Sequence, residues 1–184
     1  MTATTLATTP RAWVGCLACY NDGRLVGQWV DGLEAAELTS EDLHASERVT
    51  IDPAYGPHEE LWIMDHEGYG PALSGECSPA EAQRIAEALD TIVEHERDAF
   101  GAFLDHVEDL EDALARFPNA YRGSWDSLEE YAWDLVEDTG MLEGLPEGIA
   151  RYFDCAAFAR DLETGGDYWT APDGLGVFVF DGHE

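Results

Sequence analysis

Two cysteines stand three apart in Cys16-Leu17-Ala18-Cys19, a spacing used by redox and zinc sites. In a redox C-x-x-C the first thiol opens a helix. Here the pair falls inside the apolar run 12–20, which reads as a strand. Positions three apart on a strand face opposite sides, so both thiols read as structural. A zinc site needs two further ligands, and the remaining cysteines, Cys77 and Cys155, are isolated. His58-Glu59-Glu60-Leu61 begins like H-E-x-x-H, but Trp62 stands where the second histidine belongs. His66-Glu67 fails in the same way, and His95 and His106 read as surface residues. The chain has no EF-hand spacing, no P-loop and no G-x-G-x-x-G. Paired carboxylates arise by chance in so acidic a chain and give a glycosidase no anchor. The expectation is a protein that is not an enzyme, with no catalytic residue, no metal and no cofactor.

The carboxylates themselves carry more information. Asp and Glu number 39 against 9 cations, for a net charge of -30, and every cation is arginine. A compact chain with this charge repels itself and loses stability. Hydrophobic residues make up 45% of the chain, enough for real cores, so the charge is no mark of disorder. It also runs through every part of the chain and forms no acidic tail. At one charge per 1.7 Å of duplex, thirty charges match roughly 50 Å of DNA as an upper bound.

The acids fall in rows. Glu130, Asp134, Glu137 and Asp138 share one face of a predicted helix, with Glu129 beside them. Glu87, Asp90, Glu94 and Asp98 form a second row, next to Arg97. Asp105, Glu108, Asp109, Glu111 and Asp112 make a denser cluster, followed by Arg116. Like charges four apart cost a helix about 0.2–0.5 kcal/mol per pair, and solvated helices normally offset this with cations. Carboxylates four apart lie about 6 Å apart along the axis, a pitch near that of phosphates. A cationic groove that binds DNA would accept such a ladder. Salt adaptation also produces acidic, lysine-poor chains, and composition weighs the two readings equally.

The elements that position these rows are α+β in kind, expected as an elongated chain of three small modules. Residues 1–9 read as a flexible tail with no signal peptide. Residues 10–75 read as an α/β module. Its strands at 12–20 and 24–30 form a hairpin around Asn21-Asp22-Gly23, followed by a helix at 33–45, a loop around 52–57 and a strand at 60–65. Residues 76–118 read as a helical middle module that opens at Ser78-Pro79 and stops at Pro118. Residues 119–184 read as an α+β module: an ambiguous Tyr121–Trp125, a helix to about Asp138 ending at Gly140, a helix at 154–163 and a closing hairpin. Leu128, Tyr131, Ala132 and Leu135 form the buried stripe of the first helix, and Trp133 falls off it as a candidate partner surface. No segment has the apolar length of a membrane span, and irregular cysteines argue against a secreted framework, so the cytoplasm is expected.

Several blocks resemble the ArdA antirestriction family. They are Pro10-Arg11-Ala12-Trp13-Val14-Gly15-Cys16-Leu17-Ala18-Cys19-Tyr20-Asn21-Asp22-Gly23, then Gly27-Gln28-Trp29-Val30-Asp31, and Glu59-Glu60-Leu61-Trp62-Ile63-Met64-Asp65-His66-Glu67-Gly68-Tyr69. Tyr121-Arg122-Gly123-Ser124-Trp125-Asp126-Ser127 and Tyr152–Leu162 continue the order almost to the end. His66 departs from the family's usual aromatic. The resemblance implies an elongated, curved, three-domain homodimer that mimics bent B-form DNA. It also implies inhibition of type I restriction-modification enzymes at the DNA-binding groove of the methyltransferase core, without catalysis, membrane attachment or direct nucleic-acid binding. The family's acidic motif falls on Leu128–Leu142, where Asp138-Thr139-Gly140 is less acidic than the pattern. The alternatives are an acidic module for another basic DNA-binding protein, and a salt-adapted protein of unrelated function.

Overall fold

The structure, a computed structural model, describes residues 9–51 and 56–184. The expected tail lies outside the described residues except for Thr9, as does the Asp52-Pro53 part of the expected loop. The chain packs as two units, the first ending at Asp105 and the second spanning His106–Glu184.

β1 (Arg11–Cys16) buries Ala12, Val14, Gly15 and Cys16 and occupies the centre of a three-stranded antiparallel sheet. Its neighbours are β2 (Gly27–Asp31) and β3 (Leu61–Glu67), in the order β2-β1-β3. The expected pairing of the first two strands is present, with Trp13 opposite Trp29, but the connection differs. The first strand stops at Cys16, and Leu17–Asn21 forms one helical turn, α1. Gly23, at φ 76°, then reverses the chain.

The helix expected at 33–45 is two pieces. Asp31 caps a 3-10 turn over Gly32–Glu37, Leu38 is extended, and Thr39 caps α2 (Ser40–Ser46). Two good capping residues eight apart start two short helices in place of one long one. Ser78 caps α3 (Pro79–Thr91) as expected, and Pro79 occupies its first turn. Ala82, Ile85, Ala86 and Leu89 form the buried face of α3, which packs on the 3-10 turn. α4 (Arg97–Val107) adds Ala99, Phe100 and Phe103 to the core of the first unit.

The second unit holds α5 (Leu110–Ala120), β4 (Tyr121–Trp125), α6 (Leu128–Asp138), α7 (Glu147–Ala150), α8 (Cys155–Gly165), β5 (Tyr168–Asp173) and β6 (Gly176–Asp181). Pro118 does not stop α5, which runs on to Ala120. Proline blocks the helix on its N-terminal side, whereas its fixed φ suits the residues that follow. α7 is an addition to the sequence reading. Gly166, in the left-handed region at φ 79°, ends α8.

The second sheet is antiparallel in the order β4-β6-β5. Phe178, Val179 and Phe180 of β6 are buried, with Phe180 stacked on Trp169 at 4.2 Å and Tyr121 stacked on Phe117 at 5.2 Å. Both edges of β6 are therefore occupied within the chain. Mixed helices and two small sheets make the fold α+β.

Candidate functional site

All fourteen sequence-predicted carboxylates are exposed: Glu87, Asp90, Glu94, Asp98, Asp105, Glu108, Asp109, Glu111, Asp112, Glu129, Glu130, Asp134, Glu137 and Asp138. No Asp or Glu among the described residues is buried. The charge is thus carried entirely on surfaces, where a partner or solvent meets it.

α6 holds the row best. Ser127 accepts from the Glu130 amide at 3.2 Å, and the Glu130 carboxylate accepts from the Asp126 amide at 2.9 Å. The two bonds together fix the start of the helix. Tyr131, Ala132 and Val136 face inward, with Leu128 and Leu135 half-buried. Tyr131 meets Tyr168 edge-on at 5.0 Å. Burial raises the Tyr131 phenol well above its usual range, and Tyr168 adds to the rise. Glu129 and Glu130 in the first turn favour the helix dipole, but Glu137 and Asp138 oppose it in a last turn that has no basic residue. α6 contains no Lys or Arg at all. Each acid at the wrong end costs about 0.3–1 kcal/mol at low salt. Stability does not explain that placement.

The second row is not one helical row. α3 ends at Thr91, and Ile92 is extended, so Glu87 and Asp90 lie on α3 while Glu94 opens a 3-10 turn over Glu94–Glu96. Asp98 sits in the first turn of α4, against Gly70. The β-branched run Thr91-Ile92-Val93 resists continuing the helix. Glu87 also accepts from the Gln83 amide group at 2.9 Å.

The 105–112 cluster is likewise split. Asp105 lies near the end of α4 and closes the first unit. Glu108 adopts φ 66°, and Asp109 caps α5 by accepting from the Asp112 amide at 2.9 Å. Glu111 and Asp112 occupy the first turn of α5, and Asp112 lies 3.8 Å from Arg116. Asp109, Glu111 and Asp112 therefore also serve the helix they precede. Of the candidate aromatics, Trp133 is 44% exposed beside Phe153, whereas Tyr131 is buried and Trp125 half-buried. His95 and His106 are exposed, and His106 stacks on Trp169 at 4.1 Å.

A second constellation lies in the first unit. Cys16 is the N-cap of α1, so Cys16 and Cys19 fall on a strand-to-helix junction and present their sulfurs to one point. The expectation that they face opposite sides was therefore wrong, because it assumed the strand ran on to Tyr20. His44 of α2 and His58, just before β3, join them. All four side chains are buried. Burial raises the Cys19 thiol to about 11, and its contact with Cys16 adds to the rise. Sequence reasoning missed His44 altogether and weighed His58 only within a failed zincin motif. The available signal was a C-x-x-C followed by two histidines 25 and 39 positions beyond Cys19.

A model of the antirestriction protein (ArdA) family matches residues 12–177. The chain belongs to the ArdA family. The matched residues include β2 to β5, most of β1 and the start of β6, with all fourteen carboxylates and the Cys/His constellation. ArdA proteins act in antirestriction, as inhibitors rather than as enzymes. No curated protein matches the chain. Among the described residues no helix is long and apolar enough to cross a membrane.

Proposed function

We propose that the protein inhibits type I restriction-modification enzymes by mimicking the charge and shape of B-form DNA in the DNA-binding groove of the methyltransferase core. Family membership supports antirestriction and a restriction-enzyme partner. The observation that carries the mimicry is α6: exposed carboxylates, no cation on the helix, and two acids placed against its dipole. A surface that gives up helix stability for charge fits a partner that supplies the missing cations. The fourteen acids form the proposed contact, with the α6 set central. The protein acts as a homodimer, turns over no substrate and binds no nucleic acid itself.

The test is a titration of purified protein into a type I enzyme bound to labelled duplex. Stoichiometric release of the duplex is expected. Reversing Glu130, Asp134, Glu137 and Asp138 to lysine should weaken release at least about tenfold, since several charge contacts are lost together. No release at large excess argues against the reading and favours another basic partner. A monomer mass in sedimentation at micromolar concentration would remove the dimer.

A further inference from the structure

We propose that Cys16, Cys19, His44 and His58 form a closed, structural zinc site in the first unit. The four ligand atoms all lie within 4.8 Å of one another. Cys19 Sγ is 3.2 Å from His58 Nδ1 and 3.5 Å from His44 Nε2, and Cys16 Sγ is 3.5 Å from His58 Nδ1. With Zn–S near 2.3 Å and Zn–N near 2.1 Å, the sulfur-to-nitrogen edge of a tetrahedron is about 3.6 Å. Three of the six edges therefore already stand close to the spacing of a Cys2His2 coordination shell, and the other three lie within 4.8 Å.

Hydrogen bonds can pair each thiol with one imidazole, and the same four atoms also converge on one point. His44 Nδ1 lies 2.5 Å from the Ser40 carbonyl, to which its N–H donates. That fixes the tautomer and leaves Nε2 with a lone pair aimed at Cys19. Both sulfurs converge on the single Nδ1 of His58, which has room for one proton. A cation at the common point satisfies four donors at once. The Ser40 contact is the outer-shell bond that zinc-bound histidines make, and the Ser40 hydroxyl also donates to the His58 carbonyl. The Cys19 amide points to Cys16 Sγ at 3.4 Å, a further donor for a thiolate.

The ligand set selects the metal. Two thiolates and two imidazoles in a tetrahedral array favour zinc over hard, oxygen-seeking cations. Four protein ligands leave no open position, which makes the site a staple and not a catalyst. It ties the β1–α1 junction to α2 and to the segment entering β3, around a small cluster of Val26, Leu43, Leu38 and Leu61. So small a cluster gains from such a tie. An open depression lined by Ser40, Glu41, Val49 and Pro57 reaches His44 and His58 and gives the ion a way in.

The experiment is metal analysis and cobalt titration of the full-length protein. About one zinc per chain is expected after purification without added metal. Stripped protein titrated with Co2+ should develop the visible d–d bands of a tetrahedral site and a near-ultraviolet thiolate-to-cobalt band, both bleached by zinc. Cys19→Ser and His58→Ala should lose the bands, whereas Cys155→Ser should keep them. Wild-type protein that carries no zinc and gives no cobalt bands overturns the proposal, without reference to whether any variant folds. A Cys16–Cys19 disulfide in the freshly purified chain, or loss of the bands in Cys155→Ser, overturns it as well.

Discussion

At Gly101 an added Cβ would stand 2.5 Å from the Ala72 amide nitrogen and 2.9 Å from the Pro71 carbonyl carbon. Glycine inside a helix normally costs about 1 kcal/mol relative to alanine. Here the neighbouring backbone has no room to give, so Gly101→Ala should destabilise by about 1–3 kcal/mol. Denaturant unfolding reads the sign, and a gain in stability would show that α4 does not press on the Pro71–Ala72 turn. Cys77 offers a second test at this scale. Burial raises its thiol from 9.0 to about 11, with Glu81 adding to the rise. The folded state holds the proton longer than the unfolded chain does. Its contribution is therefore present in full below pH 9.0 and lost as the pH climbs towards about 11, on the order of 2 kcal/mol across that window. Cys77→Ala should flatten stability against pH over that range. An unchanged slope would mean that the thiol ionises freely in the fold.

Among the elements, α6 decides most. Glu137→Gln with Asp138→Asn removes two charges from the unfavourable end of the dipole. Thermal stability should rise by roughly 0.3–1 kcal/mol per site at low salt, while inhibition weakens. If both fall together, these acids hold the fold and are not a surface kept for a partner. α6 was legible in the sequence because Ser127, the apolar period and Gly140 all agree. α3 was legible at its start, from Ser78-Pro79, but not at its end. There Ile92 and Val93 continue the apolar period while their β-branched side chains turn the backbone extended. α1 was illegible for a related reason. Its one turn follows a buried strand without a polar break, and its cap is a cysteine, which no capping rule flags. That single turn sets the direction of Cys19, so the Cys/His constellation could not be assembled from strand geometry. Pairing of β1 with β2 was readable from Asp22-Gly23, whereas the central place of β6 depends on contacts distant in sequence.

At the scale of the molecule, a net charge of -30 with every described carboxylate outside the core is a cost to folding that brings no packing in return. Family membership states the purpose as antirestriction, and the charge suggests the means. A salt-adapted protein would need high salt to fold, whereas a mimic folds at low salt and holds its target more tightly there. The most direct measurement is the affinity of the protein for a type I enzyme across a salt series, set beside that of duplex DNA on the same enzyme. A DNA mimic should be folded at low salt, with an affinity that falls linearly in log–log form and a slope of the same sign and similar size as that of DNA. An affinity that ignores salt, or rises with it, would contradict the mimicry.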